Sequence, residues 1–170
     1  DKNFFIFLKN NFKDILNLKP QIIKKAIFNS CKIKKGIVEK DEKEKNLRKI
    51  LNFGHTFAHA YEASLGFSRR LNHGEAVILG MTTALKFSKS NNLLSLKEFK
   101  IITNHIKNFN LPNNIKKYFS LRDTKKIVSF MSNDKKNNTN KINLILLKKI
   151  GLPLINQKFD KKKLKIFLNK

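Results

Sequence analysis

The chain has 170 residues, of which 41% are hydrophobic, including 15 phenylalanines, so it can form one domain with a buried core and does not match the composition of a disordered chain. Its net charge of +25 suggests a nucleic-acid partner, but only four of the 37 basic residues are Arg and the lysines are spread along the whole chain. We therefore favour a solvated, lysine-rich surface over a nucleic-acid-binding one.

The sequence lacks the features of an exported or membrane-spanning protein. It contains one cysteine, Cys31, which cannot form an internal disulfide, and it has no secretory signal and no apolar run of about 18 residues. We expect a cytoplasmic protein with no membrane partner, in which Cys31 is a half-buried structural thiol. The first residue is Asp rather than Met, which fits a piece of a longer protein, so groups that complete a site can lie outside it.

Amphipathic helices are predicted for most of the chain. Apolar residues recur at steps of three and four over residues 4–18, 21–35 and 47–65. The acidic segment at 41–44 is suited to the N-terminus of the third of these helices. A loop at 66–72 then leads to a helix over 75–88, with His73 and Gly74 in its first turn.

The second half of the chain adds the one good strand candidate. Helices are predicted over 96–109, 124–131 and 161–169, and a polar loop over 133–141. The strand at 142–147 is separated from Leu154 and Ile155 by Gly151 and Pro153, which indicates a hairpin. The fold class is therefore mainly α, a single multi-helical domain over 1–170 with a small β-hairpin near the C-terminus.

Three of the four histidines lie between positions 55 and 73. His55 and His59 are four residues apart and project from one face of a helix, and His73 can join them if the loop brings the next helix back. Because Thr56 follows His55 where metalloproteases place a Glu, that class is excluded. From spacing alone, the candidate metal ligands are His55, His59, His73 and Glu75. The fourth histidine, His105, is given a structural role.

A polar stripe is predicted to run through the same helix. Arg48, Asn52, His55 and His59 follow one another at helical spacing, on a face that would normally be apolar. Such a set favours an anionic, oxygen-rich small molecule beside a metal, because Arg can bind a carboxylate or phosphate through two parallel hydrogen bonds.

The pattern R-x2-LNFGHTF-x-HA-x-E at residues 48–62, followed by HGEAV at 73–77 and Gly80-Met81, closely resembles the motif of 3-dehydroquinate synthases. The resemblance extends upstream to Lys34 and the acidic segment at 41–44, and downstream to Asp-Lys-Lys-Asn at 134–137 and Ile150-Gly151. It spans most of the chain. The motif is far more specific than a pair of histidines.

The resemblance implies the C-terminal half of a two-domain enzyme of the shikimate pathway. This family converts 3-deoxy-D-arabino-heptulosonate 7-phosphate to 3-dehydroquinate and phosphate, a lyase reaction that uses NAD for transient oxidation and a divalent metal, Zn or Co. The NAD-binding domain and a third metal ligand, a Glu, are expected upstream of Asp1, and without them we expect no activity. The family usually forms homodimers.

Residue roles follow from the resemblance position by position. His55 and His73 match the metal ligands, and His59 matches a residue that binds the substrate's phosphate and transfers a proton. This assignment replaces the ligand set that spacing alone gave. Lys34 and Arg48 match groups that bind the substrate's carboxylate and hydroxyls. Lys34 is also a catalytic candidate. Asn52, together with one of Lys135 and Lys136, matches the phosphate contacts. Glu44 matches a nearby acidic residue with a supporting role.

The chain departs from the family's pattern at three places. Ala58 replaces a frequent Gly, Tyr61 replaces a small aliphatic residue, and the 66–72 loop is slightly longer. None of these removes a functional group.

Other sugar-phosphate cyclases and glycerol-dehydrogenase-like enzymes remain the alternative functions. A basic nucleic-acid-binding module is a more distant alternative.

Overall fold

The structure is a computed structural model that describes residues 1–133 and 140–169, and the side chain of Asn133 is not described. Most of these residues form helices, with one two-stranded antiparallel sheet, as the sequence predicts. The elements are α1 (Lys2–Leu16), α2 (Pro20–Val38), α3 (His55–Ser64), α4 (His73–Ser90), α5 (Leu96–Asn108), α6 (Thr124–Asn133), β1 (Lys141–Lys149), β2 (Leu152–Asp160) and α7 (Lys161–Leu168), with 3₁₀ helices at Leu47–Asn52, Ile115–Lys117 and Leu121–Asp123.

Helix α4 lies at the centre of the core. Its buried side chains pack with those of α3, α6, the hairpin and α7 in one apolar cluster, which includes Phe57, Leu79, Phe87, Ile127 and Leu146. Burial of this apolar surface is the main source of stability. The core therefore holds α3 and α4 side by side, and these two helices carry the three histidines of the motif.

Tyr61, one of the departures from the family's pattern, fills the middle of this core. Its side chain is fully buried, its hydroxyl donates to Thr83 Oγ1 at 2.8 Å, and its ring lies 5.2 Å from that of Phe119. Burial raises the pKa of Tyr61 far above its usual range, so the residue acts as a neutral core side chain with a satisfied hydroxyl.

The continuous helix predicted over 47–65 is wrong. Residues Leu47–Asn52 form a 3₁₀ helix, and the chain turns at Phe53 and Gly54 before α3 begins at His55. Gly54 has a φ of +84°, which glycine adopts without a steric penalty. The apolar spacing continues through the turn, so periodicity alone does not reveal the break.

The start of α3 and the middle of α4 approach so closely that there is no room for a side chain at Gly54 or at Gly80. A Cβ atom at Gly54 would lie 2.5 Å from the backbone N of Met81. A Cβ atom at Gly80 would overlap the carbonyl oxygen of Gly54 and lie 2.9 Å from the backbone N of Ala58. The contact is between backbones, so flexible side chains cannot relieve it.

The predicted hairpin is confirmed. Strands β1 and β2 are antiparallel, with register shifts between Leu144 and Leu146 and between Leu147 and Lys149. At the second shift Leu147 lies opposite Pro153, and its backbone N–H donates instead to Ser88 Oγ of α4 at 3.0 Å. This bond joins the hairpin to the central helix. Most of the polar loop predicted over 133–141 lies outside the described residues.

Helices α1 and α2 are amphipathic, as predicted, but neither contains a buried residue. Cys31 on α2 is exposed, so the prediction of a half-buried thiol is wrong. His105 of α5 has the structural role predicted for it, since its ring lies 4.8 Å from that of Phe12 and 5.2 Å from that of Phe109. Among the described helices, none has the length and apolar character needed to span a bilayer.

Replacing Gly80 by Ala tests the close contact. The added methyl group would force α3 and α4 apart, so we expect the free energy of unfolding to fall by roughly 1–3 kcal/mol. The matched control is Gly36→Ala in α2, where a Cβ atom meets nothing within 4 Å. That change should be neutral or stabilise by up to about 1 kcal/mol. Urea denaturation measures both, and equal stability of Gly80→Ala and the parent chain would contradict the contact.

Candidate functional site

The three histidines of the motif lie together where α3 and α4 begin. His55 is the first residue of α3, His59 follows one turn later, and His73 is the first residue of α4. The ring centroids of His55 and His59 are 5.6 Å apart, those of His55 and His73 6.1 Å, and those of His59 and His73 6.4 Å. The structure thus brings His73 to the other two, as the spacing requires for a shared site.

The ring of His73 is oriented by Glu62. The Nδ1 atom of His73 lies 3.0 Å from Oε1 of Glu62, whose side chain is only 12% exposed. When Nδ1 carries the proton and donates to this carboxylate, Nε2 is left available as a ligand. Sequence reasoning assigned Glu62 no role, although its position three residues after His59 and seven after His55 places it on the same face of α3.

His55 is partly buried, and this burial is the main cause that lowers its pKa. The neighbouring His59 and His73 lower the pKa further, whereas the Phe53 backbone and Glu62 oppose the shift. The Nδ1 atom of His55 is buried and makes no hydrogen bond of normal geometry within the described residues. A neutral imidazole is the form that binds a metal ion, so the environment of His55 favours that form.

Glu75 has a different function from the ligand role that spacing left open. Its Oε2 atom accepts the backbone N–H of Asn72 at 2.9 Å, which caps the first turn of α4. The carboxylate thereby fixes the start of the helix at His73.

The histidines fit part of a metal site. In the ranges 1–133 and 140–169, no three His, Cys, Asp or Glu side chains are arranged to hold one metal ion. Two imidazoles from different helices, one of them oriented by a carboxylate, nevertheless have the donor chemistry that zinc and cobalt prefer. A catalytic zinc site has about three protein ligands, so a ligand from elsewhere is required to complete it.

The acidic segment at 41–44 anchors the chain in front of the 3₁₀ helix. The carboxylate of Asp41 accepts the backbone N–H groups of Lys45, Asn46 and Arg48 at 2.8 to 2.9 Å. These bonds lower the pKa of Asp41, with the bond to Arg48 making the largest contribution. The expected helix-start role is therefore filled by one residue of the segment.

Glu44 connects the two predicted anion-binding residues. Its Oε1 atom accepts from Nδ2 of Asn52 at 2.6 Å, and its Oε2 atom lies 4.0 Å from Nε of Arg48. Arg48 also donates through Nη1 to the carbonyl oxygen of Glu42 at 2.6 Å. Because the chain turns at Gly54, these residues do not form the continuous helical stripe with the histidines that the spacing predicted.

Three members of the stripe still line one cleft. Asn52, His55 and His59 face a cavity of about 340 Å³, which we call the histidine cleft. Its other lining residues are Glu44, Lys49, Thr56, Asn143, Ile145 and Asn156. Arg48 is adjacent through Glu44 but does not line it.

The hairpin supplies polar groups that sequence reasoning missed. The Oδ1 atom of Asn143 is buried without a hydrogen-bond partner in the described structure, and its Nδ2 lies 3.4 Å from Oδ1 of Asn156. Asn143 alternates with the buried Ile142 and Leu144 of β1, so it is on the opposite face of the strand. A polar residue within an otherwise apolar strand could have indicated a role for Asn143. The sequence does not show, however, that tertiary packing brings Asn143 to α3.

The predicted lysines are not brought into this cleft. Lys34 lies on α2 with an exposed side chain and is not among the lining residues. Lys135 and Lys136 lie outside the described residues.

Comparison with known proteins identifies relatives over the whole chain. The family model described as "3-dehydroquinate synthase C-terminal" matches residues 1–137. The 3-dehydroquinate synthase of Pelagibacter ubique is 55% identical over 169 residues, 99% of this chain and 46% of that protein. The enzyme of the same name from Bradyrhizobium diazoefficiens is 38% identical over 160 residues, 91% of this chain and 42% of that protein. The chain thus spans slightly less than half the length of these relatives.

Two solved structures share the fold. A 2-epi-5-epi-valiolone synthase from Streptomyces hygroscopicus, solved with NAD+ and Zn2+, has a TM-score of 0.81 at 18% identity and matches 99% of this chain and 46% of its own. A 2-deoxy-scyllo-inosose synthase, solved with carbaglucose-6-phosphate, NAD+ and Co2+, has a TM-score of 0.66 at 24% identity. The match covers 88% of this chain and 41% of that protein. At these identities the likeness shows the fold alone.

Titration with Co2+ tests the partial metal site. In histidine-labelled protein, the paramagnetic ion should broaden the imidazole NMR signals of His55 and His73 at lower concentration than those of His105. Glu62→Gln should weaken this binding by about tenfold or more, because the ring of His73 loses its orienting carboxylate. The matched control Glu39→Gln, in an exposed ion pair with Lys35, should leave it unchanged. Equal broadening of His105, or no effect of Glu62→Gln, would exclude the assignment.

Proposed function

The chain belongs to the family of 3-dehydroquinate synthase C-terminal domains, and on this basis we propose that it forms the metal- and substrate-binding part of a 3-dehydroquinate synthase. The reaction is the conversion of 3-deoxy-D-arabino-heptulosonate 7-phosphate to 3-dehydroquinate and phosphate. The observation that carries the proposal is the convergence of His55, His59 and Asn52 on one cleft, beside the pair formed by His73 and Glu62.

His55 and His73 hold the divalent metal in this proposal. They come from two helices whose contact through Gly54 and Gly80 leaves little freedom in the separation of the rings. When bound, the metal would polarise a substrate hydroxyl, and NAD would accept and return the hydride. The third ligand, a Glu, and the NAD-binding domain come from the other half of the enzyme, so the chain alone is inactive.

His59 binds the substrate's phosphate and transfers a proton. Its side chain is exposed, and its ring lies 5.6 Å from that of His55, so it can contact a substrate beside the metal. An imidazole both donates to an anion and exchanges protons near neutral pH, which suits the loss of phosphate.

Asn52 and Arg48 hold the anionic ends of the substrate, with Glu44 as their positioning residue. Nδ2 of Asn52 uses one hydrogen for Glu44, and the other can donate to phosphate. The guanidinium of Arg48 has five N–H donors, and within residues 1–133 and 140–169 the bond from Nη1 to the carbonyl oxygen of Glu42 is the one with full hydrogen-bond geometry, which leaves donors for a carboxylate. The carboxylate of Glu44 keeps both side chains beside the histidine cleft.

The lysine assignments rest on the resemblance. Lys34, on α2, contacts the substrate and assists catalysis, and one of Lys135 and Lys136 contacts its phosphate. We also assign the protein to the cytoplasm and to a homodimer, as is usual for the family. The large positive charge of the chain favours an anionic substrate at long range.

A second candidate function is another sugar-phosphate cyclase, because the two solved structures with this fold are named as a valiolone synthase and an inosose synthase. Relatives named 3-dehydroquinate synthase, at 55% and 38% identity, favour that synthase instead, and the roles given to Arg48, Asn52 and the Lys135-Lys136 pair rest on the same resemblance.

A chimera tests the proposal. The segment of the Pelagibacter ubique enzyme that matches this chain is replaced by the chain, and release of phosphate from 3-deoxy-D-arabino-heptulosonate 7-phosphate is measured. His55→Ala or His73→Ala should reduce the rate by about 100-fold or more and lower the metal content, because a metal ligand is lost. Asn52→Ala should raise KM.

His105→Gln is the control, because this residue of α5 packs against Phe12 of α1 and does not line the cleft. It should retain the rate of the parent chimera. A chimera that holds NAD and metal but releases no phosphate would refute the proposed reaction. Full activity of His55→Ala and His73→Ala would refute the metal assignment.

A further inference from the structure

A second cavity, of about 630 Å³, lies between α4, α5, α7 and the 3₁₀ helix Ile115–Lys117. It shares no lining residue with the histidine cleft. Lys86, which lines it, follows His73 by thirteen positions on α4, which corresponds to about 20 Å along the helix axis. The volume is within the usual range for small-molecule sites.

Three lysines from three different elements line this cavity. They are Lys86 of α4, Lys107 of α5 and Lys116 of the 3₁₀ helix, and no Asp or Glu is among the described lining residues. Burial lowers the pKa of Lys86, and the charges of Lys107 and Lys116 lower it further. Lys86 therefore lies in the positive field of its two neighbours, and an anion bound between Lys86 and Lys107 would be stabilised by this field.

Lys86 is an unusual residue for its position. It is the one residue between Thr82 and Ser88 that reaches solvent, and its ammonium group is partly shielded where it meets the cavity. Its Nζ atom donates to the carbonyl oxygen of Asn113 at 3.2 Å, which holds the ammonium group at the cavity.

The remaining lining defines the kind of anion. Phe99, Ile106 and Phe167 give the cavity apolar walls. The hydroxyls of Thr82, Thr83 and Thr103 donate to backbone carbonyls within their own helices at 2.8 to 2.9 Å, so their hydrogens are already used. Lysine ammonium groups are thus the strongest donors at the cavity, which favours a ligand with a charged acceptor over a neutral polyol.

We propose that this cavity binds a small organic anion with an apolar or aromatic body, at a site separate from the histidine cleft. The anionic group lies against Lys86 and Lys107, and the apolar body contacts Phe99, Ile106 and Phe167. This inference does not depend on the proposed enzymatic function.

Calorimetric titration of the 170-residue chain with three probes at constant ionic strength tests the proposal. Phenyl phosphate combines both parts of the ligand, whereas inorganic phosphate and benzyl alcohol each carry one. Phenyl phosphate should bind at least about tenfold more tightly than either, because it alone contacts both the lysines and the apolar walls. Equal affinities for phenyl phosphate and phosphate would overturn the proposal, since a basic surface alone would explain them.

Substitutions and methyl NMR locate the bound probe. Lys86→Met should weaken phenyl phosphate binding by about tenfold, whereas Lys100→Met on the exposed side of α5 should change it by less than about twofold. The probe should shift the methyl signals of Ile106 in this cavity at lower concentration than those of Ile145 in the histidine cleft, which has its own proposed phosphate contacts. If Lys86→Met does not fold, Lys107→Met replaces it. Unchanged affinity in the folded variant, or a shift of Ile145 alone, would refute the site.

Discussion

The backbone contact between α3 and α4 is the constraint on which the candidate site depends. Gly54 and Gly80 leave no room for a side chain between the two helices, and the left-handed turn at Gly54 starts α3 at His55. The same contact brings the first turn of α4, and with it His73, beside α3. A larger residue at either glycine would therefore alter the spacing of the rings as well as the stability of the core.

Around this contact, carboxylates organise the polar groups. Glu62 orients His73, Glu75 caps the helix that carries it, and Glu44 holds Asn52 beside the cleft. Each of these acids acts on a residue that the family resemblance assigns to metal or substrate. In a chain with a net charge of +25, its 12 Asp and Glu residues include several placed where they position functional groups.

Much of the fold could be predicted from the sequence because it depends on local pattern. The amphipathic helices, the 66–72 loop and the hairpin follow from apolar spacing and from glycine and proline positions. The break before His55 could not be predicted in this way, because the apolar spacing continues through Gly54, and the close approach of Gly54 to Met81 is a tertiary contact. Likewise, Glu62 was within the motif but its role required the position of His73, and Asn143 reaches the cleft only through the packing of the hairpin. Cys31 is exposed because α2 has no buried residue in the described structure, a tertiary property that its amphipathic pattern does not show.

The central claim is that one histidine from each of two helices binds the metal, while His59 is left for the substrate. Anomalous diffraction at the zinc edge, from crystals of the chimeric enzyme, tests it most directly. The account predicts one zinc peak at about 2.0–2.1 Å from ring nitrogens of His55 and His73, with His59 outside the coordination shell. A zinc ion bound by His59, or one that lacks either His55 or His73 as a ligand, would contradict it.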